Sequence, residues 1–219
     1  MNTHLTSSKI WLFDVDKTLY PPNNGLFQEG NKRINRYLEK HLQLDPSAVN
    51  SLRKEYMEKY GTSLLGSIKE KGLDGNDFLH YVHSFPLNQY LTPQPLLLSF
   101  LDNLPGKKYI FSNAPQKYIS EILSIVGVQS VFTKIYGIQS FRFHGKPHVS
   151  SYKRILHWIG AKPQHCILVD DMKINCDIAI QLGLQAIWID ENQRYNDYYT
   201  EILIPCLAQF LSTQEWELH

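Results

Sequence analysis

The sequence predicts an α/β fold: a Rossmann-like parallel sheet with helices on both faces, and a helical insertion after the first strand. Three observations carry this. Short apolar runs recur along the chain. Amphipathic stripes closed by glycine lie between them. One long stretch near the start holds stripes but no convincing strand. The first run, Ile10-Trp11-Leu12-Phe13, stops abruptly at Asp14 and reads as a buried strand. Similar runs are Tyr109-Ile110-Phe111, Cys166 to Val169 and Ala186 to Ile189, with a weaker one from Val131 to Tyr136. Tyr118, Ile122, Leu123 and Val126 make a helical stripe before Gly127. Tyr152, Ile155, Leu156 and Ile159 repeat it before Gly160, and Ile174, Ile178 and Leu182 before Gly183. Glycine suits the left-handed backbone that ends many helices. Strands alternating with helices give a parallel sheet covered on both sides.

From Pro21 to Asn88 the rhythm changes. Ile34, Tyr37, Leu38, His41 and Leu42 form one stripe, and Leu52, Tyr56, Met57 and Tyr60 another. Asp45-Pro46 starts the second helix, with proline in its first turn. Phe78, Tyr81 and Val82 suggest a further helix. The expected division is a catalytic core of residues 1–20 and 89–219 and a helical cap of residues 21–88. Pro21-Pro22 and the Pro86 to Pro95 region would be the hinges.

The bulk properties narrow the function. Lys plus Arg total 22 and Asp plus Glu 21, so there is no charge excess to concentrate a polyanion, and nucleic acid is not expected as a partner. No apolar run is long enough to span a membrane, and the first ten residues lack the basic-then-apolar order of a secretory leader. Cys166, Cys176 and Cys206 are scattered, which reads as reduced thiols and a cytoplasmic location.

The chemistry sits where the strands stop. Asp14-Val15-Asp16-Lys17-Thr18 follows the first run, Ser112-Asn113 the second, and Asp170-Asp171 the Cys166 to Val169 run. Ligands of open parallel sheets bind outside the carboxyl ends of the strands, so these motifs should converge on one crevice. Four carboxylates there repel one another unless a cation sits among them, and an oxygen-only donor set suits magnesium. Lys146, between Gly145 and Pro147, would add a second positive charge against a phosphate. A carboxylate attacking phosphorus splits one hard displacement into two. Asp14 would be that nucleophile. Asp16 would serve as acid and then base, with its main-chain carbonyl toward the metal.

These residues resemble the haloacid dehalogenase superfamily, whose DxDxT first motif matches Asp14 to Thr18. Ser112 is similar to its phosphate-binding second motif, Lys146 to its third, and Asp170-Asp171 to its acidic fourth. Phe13 to Tyr20, Tyr60-Gly61, Lys146-Pro147-His148 and Val169-Asp170-Asp171 further resemble the pyrimidine 5′-nucleotidase branch. The resemblance implies that Asp14 is the nucleophile, Asp16 the general acid/base, and Ser112 and Lys146 the phosphate binders; Asn113, at the same strand end as Ser112, reads as a further phosphate-binding residue. It implies magnesium on Asp14, Asp16 and Asp171, with Asp170 acting through a bound water. Met172 stands where that branch often has a small hydroxyl residue.

Other residues have plainer readings. His80 and His83 lack ligand partners nearby and read as solvated surface; His144 and His148 read as loop residues. Asn175 is either helix surface or support for the acidic pair. Tyr60, Thr62 and Ser63 are the cap candidates for substrate contact, with Tyr60 on an apolar stripe. The expected substrate is a small phosphorylated metabolite, a pyrimidine nucleoside 5′-monophosphate first. A sugar-phosphate phosphatase or phosphomutase is the alternative. A dehalogenase would need neither Asp16 nor the acidic pair, and a non-enzymatic descendant would be expected to have lost an aspartate.

Overall fold

The computed structural model describes residues 9–190 and 198–213. The expectation about a leader falls almost entirely outside them. Five strands form one parallel sheet: β1 (Ile10–Phe13), β2 (Lys107–Phe111), β3 (Lys134–Tyr136), β4 (Cys166–Asp170) and β5 (Gln185–Trp188). Their order is β3-β2-β1-β4-β5, which puts β1 at the centre. Chain order reverses beside β1, and that switch point is where such sheets open a crevice. Phe13 pairs with Ile110 on one side and Val169 on the other, so Asp14 emerges next to Asp170 and close to Ser112. The register alone therefore gathers three of the motifs.

Strand side chains alternate between two cores. Trp11, Phe13, Ile110, Ile167 and Val169 pack on one face against α5 (Pro95–Asn103), α6 (Gln116–Val126) and α9 (Ile204–Thr213). Leu12, Tyr109, Phe111 and Leu168 pack on the other, against α7 (Val149–Ile159) and α8 (Lys173–Gln181). Two elements differ from the sequence reading. The apolar residue Val131 lies in a short 3-10 turn, Gln129–Val131, and strand pairing begins only after Thr133, whose N–H donates to Lys108 O at 2.7 Å. In α8 the stripe is only partly the inner face: Ile178 and Leu182 pack against the core, but Ile174 is 47% exposed, while Asn175, Cys176 and Ala179 are buried. The helix is turned by the Asn175 amide, which donates to the buried Asp170 at 2.8 Å. A buried carboxylate left without that donor would cost more than hiding one isoleucine.

Between β1 and α5 lie four helices: α1 (Leu26–Leu42), α2 (Pro46–Tyr60), α3 (Ser63–Lys71) and α4 (Gly75–His83). Asp45 caps α2, accepting from Ser47 N at 2.8 Å and Ala48 N at 3.0 Å. Tyr37, Leu38, Val49, Leu64, Phe78 and Val82 give this unit a core of its own, which Ile138 joins from the sheet side. Gly66 is bare because a Cβ there would lie 2.2 Å from the Tyr56 ring. Only Tyr56 of the α2 stripe is fully buried; Met57 is 43% exposed. No helix among the described residues is long and apolar enough to cross a membrane.

Candidate active site

The loop after β1 is fixed from three sides. Asp14 N–H donates to Val169 O at 2.9 Å, and Thr18 and Leu19 N–H fold back on Val15 O. Lys17 holds a left-handed backbone, φ 58°, which disfavours a side-chain-bearing residue. Its ammonium lies 2.7 Å from Asp171 Oδ2, and Tyr198 OH donates to the Lys17 and Thr18 carbonyls at 2.9 and 2.8 Å. The segment just before α9 thus holds this loop in place.

Lys146 is the hub. It is 1% exposed, and its ammonium reaches Asp14 Oδ1 at 2.9 Å and, still closer, Asp170 Oδ2. Burial opposes its charge, but the two carboxylates outweigh that and hold its pKa above the ordinary lysine value. Asp170 Oδ1 also accepts from Met172 N at 2.9 Å and from Asn175. Burial, then Asp14, raise its pKa against the pull of Lys146. Burial, Asp14 and Asp170 together push Asp171 up to about 7, with Lys17 opposing. One carboxylate oxygen each of Asp14, Asp170 and Asp171 lie within 4.8 Å of one another. Three converging carboxylates, Asp170 and Asp171 among them with raised proton affinity, are a hard-oxygen donor set that fits a divalent cation. The Asp16 carboxylate is not among them. It faces Tyr20, whose hydroxyl donates to its Oδ1 at 2.7 Å. Burial and Asp14 raise Asp16 to about 6.

Ser112, at the end of β2, is buried, and its Oγ accepts from Ala114 N at 3.2 Å. The Asn113 side chain is taken up by the Lys146 loop. Its amide grips the main chain of Lys146, donating to Lys146 O at 2.7 Å and accepting Lys146 N–H at 2.8 Å. A Cβ at Gly145 would fall 2.0 Å from the Asn113 oxygen, so glycine is required for this grip. Tyr60 turns away from the cleft, with its hydroxyl on Glu70 at 2.7 Å, while Thr62 and Ser63 line the cleft beside Asp16. His83 is not solvated surface. Its ring packs on Tyr118 at 4.6 Å and bonds Leu79 O, and burial pushes its pKa down to about 4. His148 bonds Tyr60 O at 2.8 Å, tying the helical unit to the Lys146 loop. Asn175 is buried support for Asp170. The sequence reading missed Tyr20 and Tyr118 as neighbours of Asp16, and Arg53 in the cleft.

The sequence model of the haloacid dehalogenase-like hydrolases matches residues 11–189. The chain belongs to this family. Phosphate metabolism protein 8 of Saccharomyces cerevisiae is 29% identical over 138 residues, which are 58% of this chain and 42% of that protein. The chain thus spans under half the length of that curated relative. Two solved structures share the fold of this haloacid dehalogenase-like hydrolase. YfnB of Bacillus subtilis, bound to magnesium, superposes with a TM-score of 0.60 at 16% identity, covering 93% of this chain and 98% of its own. The HAD family enzyme BT-2542 of Bacteroides thetaiotaomicron, in complex with magnesium and inorganic phosphate, gives 0.50 at 19% identity, covering 86% and 98%.

Proposed function

We propose that this haloacid dehalogenase-like hydrolase is a magnesium-dependent phosphatase of small phosphomonoesters that works through an aspartyl phosphate on Asp14. One observation carries the reading: the Asp14 carboxylate is pinned by the buried Lys146 ammonium inside a three-aspartate cluster, with a second acid, Asp16, facing the adjacent cleft. A dehalogenase needs neither that second acid nor a cation site. Asp14, Asp170, Asp171 and the Asp16 carbonyl would hold magnesium, which when bound offsets the charge shared by carboxylates and phosphate.

The chain's own groups then do the following. Lys146 and the Ser112 hydroxyl hold phosphate oxygens, and Asn113 keeps Lys146 in place. An Asp14 oxygen attacks phosphorus while the ester P–O bond breaks, and protonated Asp16 gives its proton to the leaving oxygen. Asp16 then takes a proton from water as that water attacks phosphorus, which releases phosphate and restores the Asp14 carboxylate. A pKa near 6 lets one carboxyl serve both steps near neutrality.

We assign residues 1–20 and 89–219 to the catalytic core and 21–88 to a cap that shields the reaction from water. The cleft holds about 210 Å³. That space favours a metabolite-sized leaving group over a folded phosphoprotein. A pyrimidine nucleoside 5′-monophosphate is the leading candidate, on the likeness of Lys17 to Tyr20 and Tyr60-Gly61 to pyrimidine nucleotidases. The test is hydrolysis of p-nitrophenyl phosphate in EDTA and after magnesium is restored, followed by kcat/KM for UMP, CMP, AMP, GMP and sugar phosphates. EDTA should abolish activity, magnesium should return it, and UMP and CMP should lead the panel. Full activity in EDTA would remove the metal assignment. Sugar phosphates ahead of the pyrimidines would remove the nucleotide, and isomerisation without free phosphate would make the protein a mutase.

A further inference from the structure

Arg53 is a half-buried cation with no acid beside it. It sits on α2 and spans the helical unit. Its guanidinium donates to Asn35 Oδ1 at 2.5 Å, Asn31 Oδ1 at 2.6 Å, Asn31 O at 3.3 Å and Ser63 Oγ at 3.4 Å. Every one of these acceptors is neutral. No carboxylate among the described residues lies within ion-pair distance of it, and burial, unopposed by any acid, depresses its pKa. Partly buried charges are normally paired, because leaving water without a counter-charge is costly. Four of the five guanidinium N–H groups are used, which leaves one on Nη2.

The position gives this unpaired charge a purpose. Arg53 and Asp16 line the same cavity, whose other walls include the apolar Phe27, Ile34, Met57 and Val82. Asp16 marks the end where the ester bond breaks. A leaving group that extends from it meets apolar walls and one fixed cation. We propose that Arg53 is a specificity-determining residue that takes a carbonyl or carboxylate oxygen on the leaving group. Asn31 and Asn35, one helical turn apart on α1, hold the fork in place and leave its charge unneutralised. The inference rests on the phosphatase reading, and it asks for an acceptor-bearing leaving group rather than a plain hydrocarbon or polyol.

The experiment compares kcat/KM for UMP, phosphoglycolate and phenyl phosphate in the wild type and two variants, with magnesium present. UMP offers neutral carbonyls, phosphoglycolate a carboxylate, and phenyl phosphate no such oxygen on its leaving group. Arg53→Met removes the cation. Asn31→Asp leaves the shape unchanged and sets a carboxylate against the guanidinium, which supplies the missing counter-charge without loosening the fold. The wild type should prefer UMP or phosphoglycolate, and that choice identifies the acceptor. In both variants the preference over phenyl phosphate should fall about 10–100-fold, the scale of a hydrogen bond to a charged group. A wild type that hydrolyses phenyl phosphate at least as well as the other two overturns the inference, as does Asn31→Asp leaving the preference intact. A wild type inactive on all three overturns the phosphatase reading as well.

Discussion

Asn in place of Asp14 removes phosphatase turnover, by about 10⁴-fold or more, while the fold survives. Losing a covalent nucleophile has effects on this scale. An amide oxygen attacks phosphorus far more weakly than a carboxylate. The structure predicts little harm elsewhere. The Asp14 main-chain N–H bond to Val169 does not involve the side chain, and an amide oxygen can still meet Lys146 at the present 2.9 Å. Lys146 also keeps its bond to Asp170. Asp14 is one cause of the raised pKa values of Asp16, Asp170 and Asp171, so removing its charge relieves that repulsion. Circular dichroism and the thermal midpoint should therefore match the wild type, while kcat collapses on both p-nitrophenyl phosphate and nucleotide esters. Near wild-type rates on both esters would remove Asp14 as nucleophile.

Lys146→Met has the largest expected effect on stability. The ammonium is buried between Asp14 and Asp170, and Asp170 is 0% exposed. Removing one partner of a buried pair leaves the other charge uncompensated, at a cost of about 3–5 kcal/mol. In a chain of this size that lowers the thermal midpoint by roughly 6–20 °C. The pH dependence follows from the sign of the Asp170 shift. Burial already raises its native pKa above the unfolded value. Without Lys146 it rises further, so the native state of the variant gains from protonation as pH falls. Measured in EDTA, the gap in stability between variant and wild type should therefore narrow from pH 8 toward pH 5. A gap that stays constant or widens on acidification would show that Asp170 is not the charge Lys146 compensates.

Much of this arrangement was legible in the sequence because it depends on local pattern. A strand that ends on Asp14, a glycine before Lys146 and an acid pair after an apolar run are short-range signals. The sheet register then did the assembly, setting Phe13 between Ile110 and Val169. Residues defined by long-range partners were harder to read. Asn113 gives no hint in the sequence that its side-chain amide holds the Lys146 main chain, 33 positions away. The α8 stripe misled at Ile174 because periodicity counts apolar residues, and here the buried Asp170 holds a polar residue, Asn175, inward. His83 read as surface because its cover is Tyr118, on another element. Arg53 carries no local signal at all. Its meaning comes from partners on other helices, Asn31, Asn35 and Ser63, none of which is an acid.

The covalent intermediate is the central claim, and Asp16→Asn is the variant that exposes it. With p-nitrophenyl phosphate the leaving group departs without much help from an acid, so Asp14 is still phosphorylated. The later attack by water lacks its base, a loss of about 10²–10⁴-fold. The phosphoenzyme should then accumulate. Rapid acid quench of the magnesium-loaded variant, followed by digestion and mass spectrometry, should find a phosphoryl group on the peptide carrying Asp14. Steady turnover with no phosphorylated peptide, or a phosphoryl group on any other residue, would contradict the mechanism.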